Sequence, residues 1–116
     1  MKIAILTILI SLFLIDSVEG EGGGFLVKDY EKFKDNPRLQ DYVWGAGDAF
    51  LWANGLLRRT KQPKFFCNPE RLVLTRQNFL EILENAIDDP EFHVESEQPI
   101  ASVLFMGLMK TFSCRR

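Results

Sequence analysis

The chain has 116 residues, with 14 Lys plus Arg against 16 Asp plus Glu and a formal charge of −2 at pH 7. No basic excess or long Lys/Arg run is present, which argues against nucleic-acid binding. One histidine and two cysteines are too few for a structural metal cluster.

The N-terminus has the layout of a secretory signal peptide. Lys2 supplies a positive charge, Ile3 to Ile15 is apolar except at Thr7 and Ser11, and Asp16-Ser17-Val18-Glu19-Gly20 follows. The apolar run is about 13 residues, short of the roughly 20 needed to span a bilayer as a helix. Cleavage is expected after Gly20; the alternative is an uncleaved membrane anchor. The expected division is a signal peptide at 1–20 and one mature domain at 21–116. That size buries a core with little stability to spare.

Export bears on Cys67 and Cys114. Two cysteines in a small secreted domain point to a disulfide, whose long closed loop stabilises by ~4 kcal/mol in the chain-entropy treatment. A metal pair and a catalytic thiol paired with His93 are the rival readings. The first lacks further ligands and the second lacks local support.

Glu21-Gly22-Gly23-Gly24 is expected to be a flexible start. Leu26, Tyr30 and Phe33 then recur at helical spacing between charged residues, which predicts a short amphipathic helix. Asp35-Asn36-Pro37 ends it. Asn36 is placed to cap the next helix, with Pro37 at its first position.

The longest helix is predicted from about Pro37 to Arg59. Leu39, Tyr42, Val43, Ala46, Ala49, Phe50, Ala53, Leu56 and Leu57 trace a broad apolar face, and Trp44, Leu51 and Trp52 widen it. A helix apolar over most of its girth is central or lies at an interface. Gly45 and Gly47 each cost about 1 kcal/mol relative to Ala in a helix, so close approach of another backbone is expected there. Asp48 either points to solvent or is a buried, hydrogen-bonded packing residue. Arg58 and Arg59 suit the negative end of the helix dipole.

Thr60 to Pro69 is predicted as a loop. Thr75 is an expected N-cap, and Leu74 and Phe79 have the spacing of a hydrophobic staple. Phe79, Ile82, Leu83, Ala86 and Ile87 form a regular helical stripe. Asp89 is expected to cap a short turn that opens with Pro90. The run Glu91-Phe92-His93-Val94-Glu95-Ser96-Glu97 is either a solvated connection or a loop that presents carboxylates to a basic partner. Ser96 is expected to cap the last helix, with Pro99 in its first turn. Ile100, Val103, Leu104, Gly107, Leu108 and Phe112 form one face of it. Phe105, Met106 and Met109 point elsewhere, so this helix needs cover on several sides, from the first two helices or from a second copy of the chain.

No strand or repeat is recognisable. The expected fold is all-α, a compact bundle of four main helices plus a short helical turn, with one disulfide. No phosphate loop, nucleophile elbow or metal cluster can be assembled, so no enzyme activity and no cofactor are expected. Such exported helical proteins commonly bind other proteins.

The assembled residues resemble a known family. Tyr42-Val43-Trp44-Gly45-Ala46-Gly47-Asp48-Ala49 is similar to the Tyr-Ile-x-Gly-Val-x-Asp-Ala segment of the Rap1a/Tai family of type VI secretion immunity proteins. Phe66-Cys67-Asn68-Pro69, the helix opening with Thr75 and Gln77, Asp89-Pro90-Glu91, Ala101 and Phe112-Ser113-Cys114 follow in the family's order. The likeness spans roughly Leu39 to Cys114. Further cysteines common near the family's first helices are missing, Ser113 replaces a proline, and Asp89 stands where histidine is frequent.

The resemblance implies a periplasmic, helical, homodimeric protein that binds and blocks a peptidoglycan amidase effector. It also implies that Tyr42, Gly45 and Asp48 are a structural motif. Inhibition would then be steric, through an exposed loop, for which Glu91, His93, Glu95 and Glu97 are the candidates and Thr60 to Lys64 a second choice. The alternative is an acid-activated periplasmic chaperone of the HdeA kind. A structural subunit of an envelope complex is a third.

Overall fold

A computed structural model describes residues 24–115. The expected signal segment lies outside them. Four α-helices follow in order: α1 (Val27–Phe33), α2 (Pro37–Arg59), α3 (Arg76–Asp88) and α4 (Ile100–Thr111), with a 3-10 turn at Pro90–Phe92 between the last two. None of these helices is long and apolar enough to cross a membrane.

The helix ends follow from local chemistry. The Arg38 N–H donates to Asn36 Oδ1 at 2.9 Å, and Pro37 occupies the first helical position, so α2 starts where its sequence predicts. Its other end closes in a Schellman motif: the Gln62 N–H donates to the Leu57 carbonyl at 2.8 Å and the Lys61 N–H to that of Arg58 at 3.1 Å. Lys61 takes the left-handed conformation (φ 58°) that glycine more often fills. Thr75 caps α3 reciprocally. Its hydroxyl accepts from the Asn78 N–H at 3.2 Å, and Asn78 Oδ1 accepts from the Thr75 N–H at 3.0 Å. Leu74 and Phe79 flank this cap and are both buried.

The start of α4 differs from the expectation. Its N-cap is Pro99, and no side chain caps it. Ser96 is used otherwise: its carbonyl accepts from the Lys28 N–H at 3.0 Å, and the Gln98 carbonyl accepts from the Val27 N–H at 2.9 Å. The Ile100 N–H donates to the Phe25 carbonyl at 3.0 Å. These backbone groups are committed to the segment that leads into α1, so the helix begins only after Pro99.

The core is built where α2, α3 and α4 meet. Leu39 and Val43 of α2, Phe79 and Leu83 of α3, and Ile100, Val103, Leu104 and Leu108 of α4 are buried there, joined by Phe66 from the α2–α3 loop. No residue of α4 from Ile100 to Met109 is exposed. Its cover comes chiefly from α3 and α2, not from α1 as one expectation had it. Gly107 permits the close α3–α4 approach: a Cβ there would lie 2.9 Å from Ile82 Cγ2 and 3.1 Å from the Ile82 carbonyl oxygen. Gly47 of α2 is also filled from outside its helix, by the Phe79 ring rather than by a backbone.

Cys67 and Cys114 are disulfide-bonded, with Cα atoms 4.9 Å apart. The Cys67 N–H also donates to the Phe112 carbonyl at 2.6 Å. The bond therefore ties the loop after α2 to the end of α4. A second tie holds the same loop, at Asn54 on the inner face of α2. Its Nδ2 donates to the Phe66 carbonyl at 2.7 Å, and its Oδ1 accepts from the Phe65 N–H at 2.9 Å. Asn54 is the buried polar residue among those described, and it satisfies backbone groups that the loop cannot pair by itself.

Candidate binding surface

The segment from Asp89 to Gln98 crosses one end of the bundle and carries the four predicted contact residues. The Asp89 carboxylate accepts from the Glu91 N–H at 3.0 Å and so starts the 3-10 turn, with Pro90 in first place. His93 ends the turn in the left-handed conformation (φ 46°, ψ 48°). That reversal sends the chain on toward the N-terminal segment, where the Ser96 and Gln98 carbonyls are paired as above.

Two lysines from elsewhere in the fold anchor this crossing. Lys110 of α4 is ion-paired with Asp89 and lies 3.1 Å from Glu91 Oε2, and its Nζ sits 5.4 Å from the Phe92 ring centroid. The hydrogen bond from Lys110, followed by the Glu91 N–H, holds the Asp89 carboxyl below its ordinary range, and the same pair raises Lys110. Lys28 of α1 donates to Glu97 at 2.9 and 3.2 Å, which raises the lysine in turn. A shallow groove of about 330 Å³ lies beside the first anchor, between Ile82 and Ala86 of α3 and Gly107 and Lys110 of α4.

The four predicted residues therefore separate into two kinds. Glu91 and Glu97 are exposed but held by Lys110 and Lys28. His93 and Glu95 are exposed and make no ion pair among the described residues. The anchored glutamates fix the backbone, and the other two project from it. Such a loop is pre-ordered, which lowers the entropy lost when a partner binds. The second candidate, Thr60 to Lys64, is exposed throughout and is shaped by the Schellman turn.

Tyr42 is half-buried, its ring edge-on to Phe25 at 5.6 Å. Gly45 and Asp48 both lie on the exposed side of α2. Nothing stands within 4 Å of a Cβ built on Gly45. The exposed side of α2 also carries Trp52 (70% exposed), Leu56 (60%) and Trp44 (37%). Sequence reasoning placed these in the apolar girth of α2 without separating the outer side from the inner.

Three further residues escaped sequence reasoning: Asn54, Lys28 and Lys110. A lone Asn in an apolar helix was a usable signal for the first. The lysines had none, since their partners are 69 and about 20 residues away. Among the described residues, no three His, Cys, Asp or Glu side chains are grouped to hold a metal ion. Comparison with known proteins matches no family model, no curated protein and no solved structure.

Proposed function

We propose that this chain is a periplasmic immunity protein that binds a type VI secretion peptidoglycan amidase and blocks it sterically. The observation that carries this reading is the ordered motif string from Tyr42 to Cys114, with its family-like spacing. The signal-peptide layout of residues 1–20 and the disulfide agree with an oxidising compartment. A pre-ordered acidic loop suits insertion into a substrate groove. In that role Glu91 and Glu97 shape the loop, and His93 and Glu95 meet the enzyme. Charges at the rim of such a contact set on-rate and partner choice more than raw affinity.

Co-expression is the direct test. Cells that export a susceptible amidase to the periplasm should survive when they also export this protein, and a stoichiometric complex should co-purify. Exchanging His93 and Glu95 for Ala and Lys should weaken that complex about tenfold or more while the fold persists. Failure to rescue cells from any candidate amidase, with no hydrolase recovered from envelope extract, sinks the proposal. Protection of unrelated clients at about pH 2 to 3, where carboxylates are protonated, with none at neutral pH, would favour the HdeA-like alternative instead.

A further inference from the structure

The two ends of the acidic crossing are held by different means. Its later end is a backbone tie: the Ser96 and Gln98 carbonyls accept from the Lys28 and Val27 N–H groups at 3.0 and 2.9 Å. Its earlier end, the turn from Asp89 to His93, is joined to α4 through Lys110. That ammonium meets the Asp89 carboxylate, lies 3.1 Å from Glu91 Oε2 and sits 5.4 Å from the Phe92 ring centroid. The Asp89 side chain is 16% exposed, so salt screens this contact less than it would a surface pair.

Lys110 is the penultimate residue of α4, and helix ends open more readily than helix middles. The Phe112 N–H closes that last turn on the Leu108 carbonyl at 3.0 Å. Beyond it the chain is held by Cys67, whose N–H donates to the Phe112 carbonyl at 2.6 Å and whose sulfur is bonded to that of Cys114. Cys67 is itself a fixed point. It follows Phe66, whose side chain is fully buried and whose backbone is clamped by Asn54.

We propose that the Cys67–Cys114 disulfide orders the first half of the crossing, acting through the last turn of α4 and Lys110, so that this surface is complete only in the oxidised chain. A dithiol opens the bond by exchange. One of its thiolates attacks a protein sulfur and forms a mixed disulfide, and the other cysteine leaves as a thiolate and takes up a proton. The second thiolate of the reductant then closes its own disulfide and releases the first cysteine. The protein gains two electrons and two protons, and the dithiol loses them. With the bond open, the end of α4 keeps the Cys67–Phe112 hydrogen bond and the half-buried Phe112 ring, but the covalent limit on where that turn lies is gone. Lys110, exposed on the same turn, moves with it and releases Asp89 and Glu91. The tie to Val27 and Lys28 runs by another path, so the Ser96–Gln98 end stays in place. On the signal-peptide reading, the chain is reduced before export, and the crossing takes its final form only in the oxidising compartment. This ordering does not depend on what the crossing binds.

Backbone amide order parameters from NMR relaxation test this in the mature chain (residues 21–116). In the oxidised protein they should be about 0.85 at Glu91, Phe92 and His93, the value of rigid backbone. Reduction with dithiothreitol should lower them below about 0.6 there and at Lys110 and Thr111, with Val27, Lys28 and Gln98 unchanged. Lys110→Met, with the disulfide intact, should lower them at Glu91, Phe92 and His93 and leave Thr111 rigid. Unchanged values at Glu91, Phe92 and His93 after reduction overturn the proposal, as does an equal loss at Val27 and Lys28. A reduced chain that unfolds throughout overturns it too, because the bond then holds the whole fold rather than the crossing. A crossing that stays rigid in oxidised Lys110→Met overturns the path through that lysine.

Discussion

Replacing Asn54 by Ala should cost this small domain much of its stability. The side chain is 3% exposed and serves three loop backbone groups at once, the Phe66 carbonyl, the Phe65 N–H and, at 3.4 Å, the Phe66 N–H. Alanine removes the partner of all three, the Phe66 N–H losing only a long bond, and the Phe66 side chain beside them is fully buried. A buried unsatisfied group costs about 1–3 kcal/mol. The Phe65 N–H is only part-buried and belongs at the low end. The sum is about 3 kcal/mol, which corresponds to a melting temperature lower by about 12–24 °C in a domain of this size. Thermal melts followed by circular dichroism at neutral pH, without reductant, read this directly. Asp48→Ala is the control. That residue sits on the same helix but is exposed, so the change should stay within about 0.5 kcal/mol. An Asn54→Ala loss below about 1 kcal/mol would refute the clamp, because the freed groups would then have found other partners.

Removing the disulfide by Cys67→Ser with Cys114→Ser should cost ~4 kcal/mol, measured by urea unfolding. The glycines of α2 should divide by side. Gly47→Ala drives a Cβ to 2.6 Å from the Phe79 ring and should cost about 1–3 kcal/mol, whereas Gly45→Ala should stabilise by up to about 1 kcal/mol. Burial, with Glu84 and Glu31 nearby, pushes the Tyr30 phenol up to about 12 from its ordinary 10.0. Folding therefore favours the neutral phenol. Its contribution is complete below pH 10 and is lost as the pH rises toward 12, by about 2–3 kcal/mol in full. Stability curves of wild type and Tyr30→Phe should diverge over that interval and run parallel below it. The Asp89–Lys110 pair has the opposite sign on its acid side. Its contribution is present above the ordinary carboxylate range and is lost as the pH falls through the lowered value of Asp89.

Helix ends were legible because their chemistry is local. Asn36-Pro37, Thr75 with its staple at Leu74 and Phe79, and Asp89-Pro90 each announce a start within four residues, and the structure uses all three. The disulfide was legible because only one pairing of the two cysteines exists. The orientation of α2 was not. Leu39 and Val43 are as apolar as Trp52 and Leu56, and periodicity cannot rank two apolar sides of one helix. The sequence leaves α4 to be covered by the first two helices or by a second copy; the bundle covers it with α3 and α2, and the side of α2 that carries Trp52 and Leu56 stays exposed. The beginning of α4 was misplaced for a related reason. Ser96 is a sound cap by type, but its backbone is taken by Lys28 from the far end of the chain, and no window of neighbouring residues contains that fact. The same separation hid the two lysine anchors of the acidic loop.

We propose that the Asp89–Gln98 crossing blocks a peptidoglycan amidase. Titrating a purified amidase effector with the oxidised mature protein, and following peptide release from peptidoglycan at neutral pH, tests it most directly. Activity should fall linearly to near zero at one inhibitor chain per enzyme, with the His93→Ala, Glu95→Lys variant needing a large excess. Full amidase activity at a saturating excess, across the candidate peptidoglycan amidases, would overturn it.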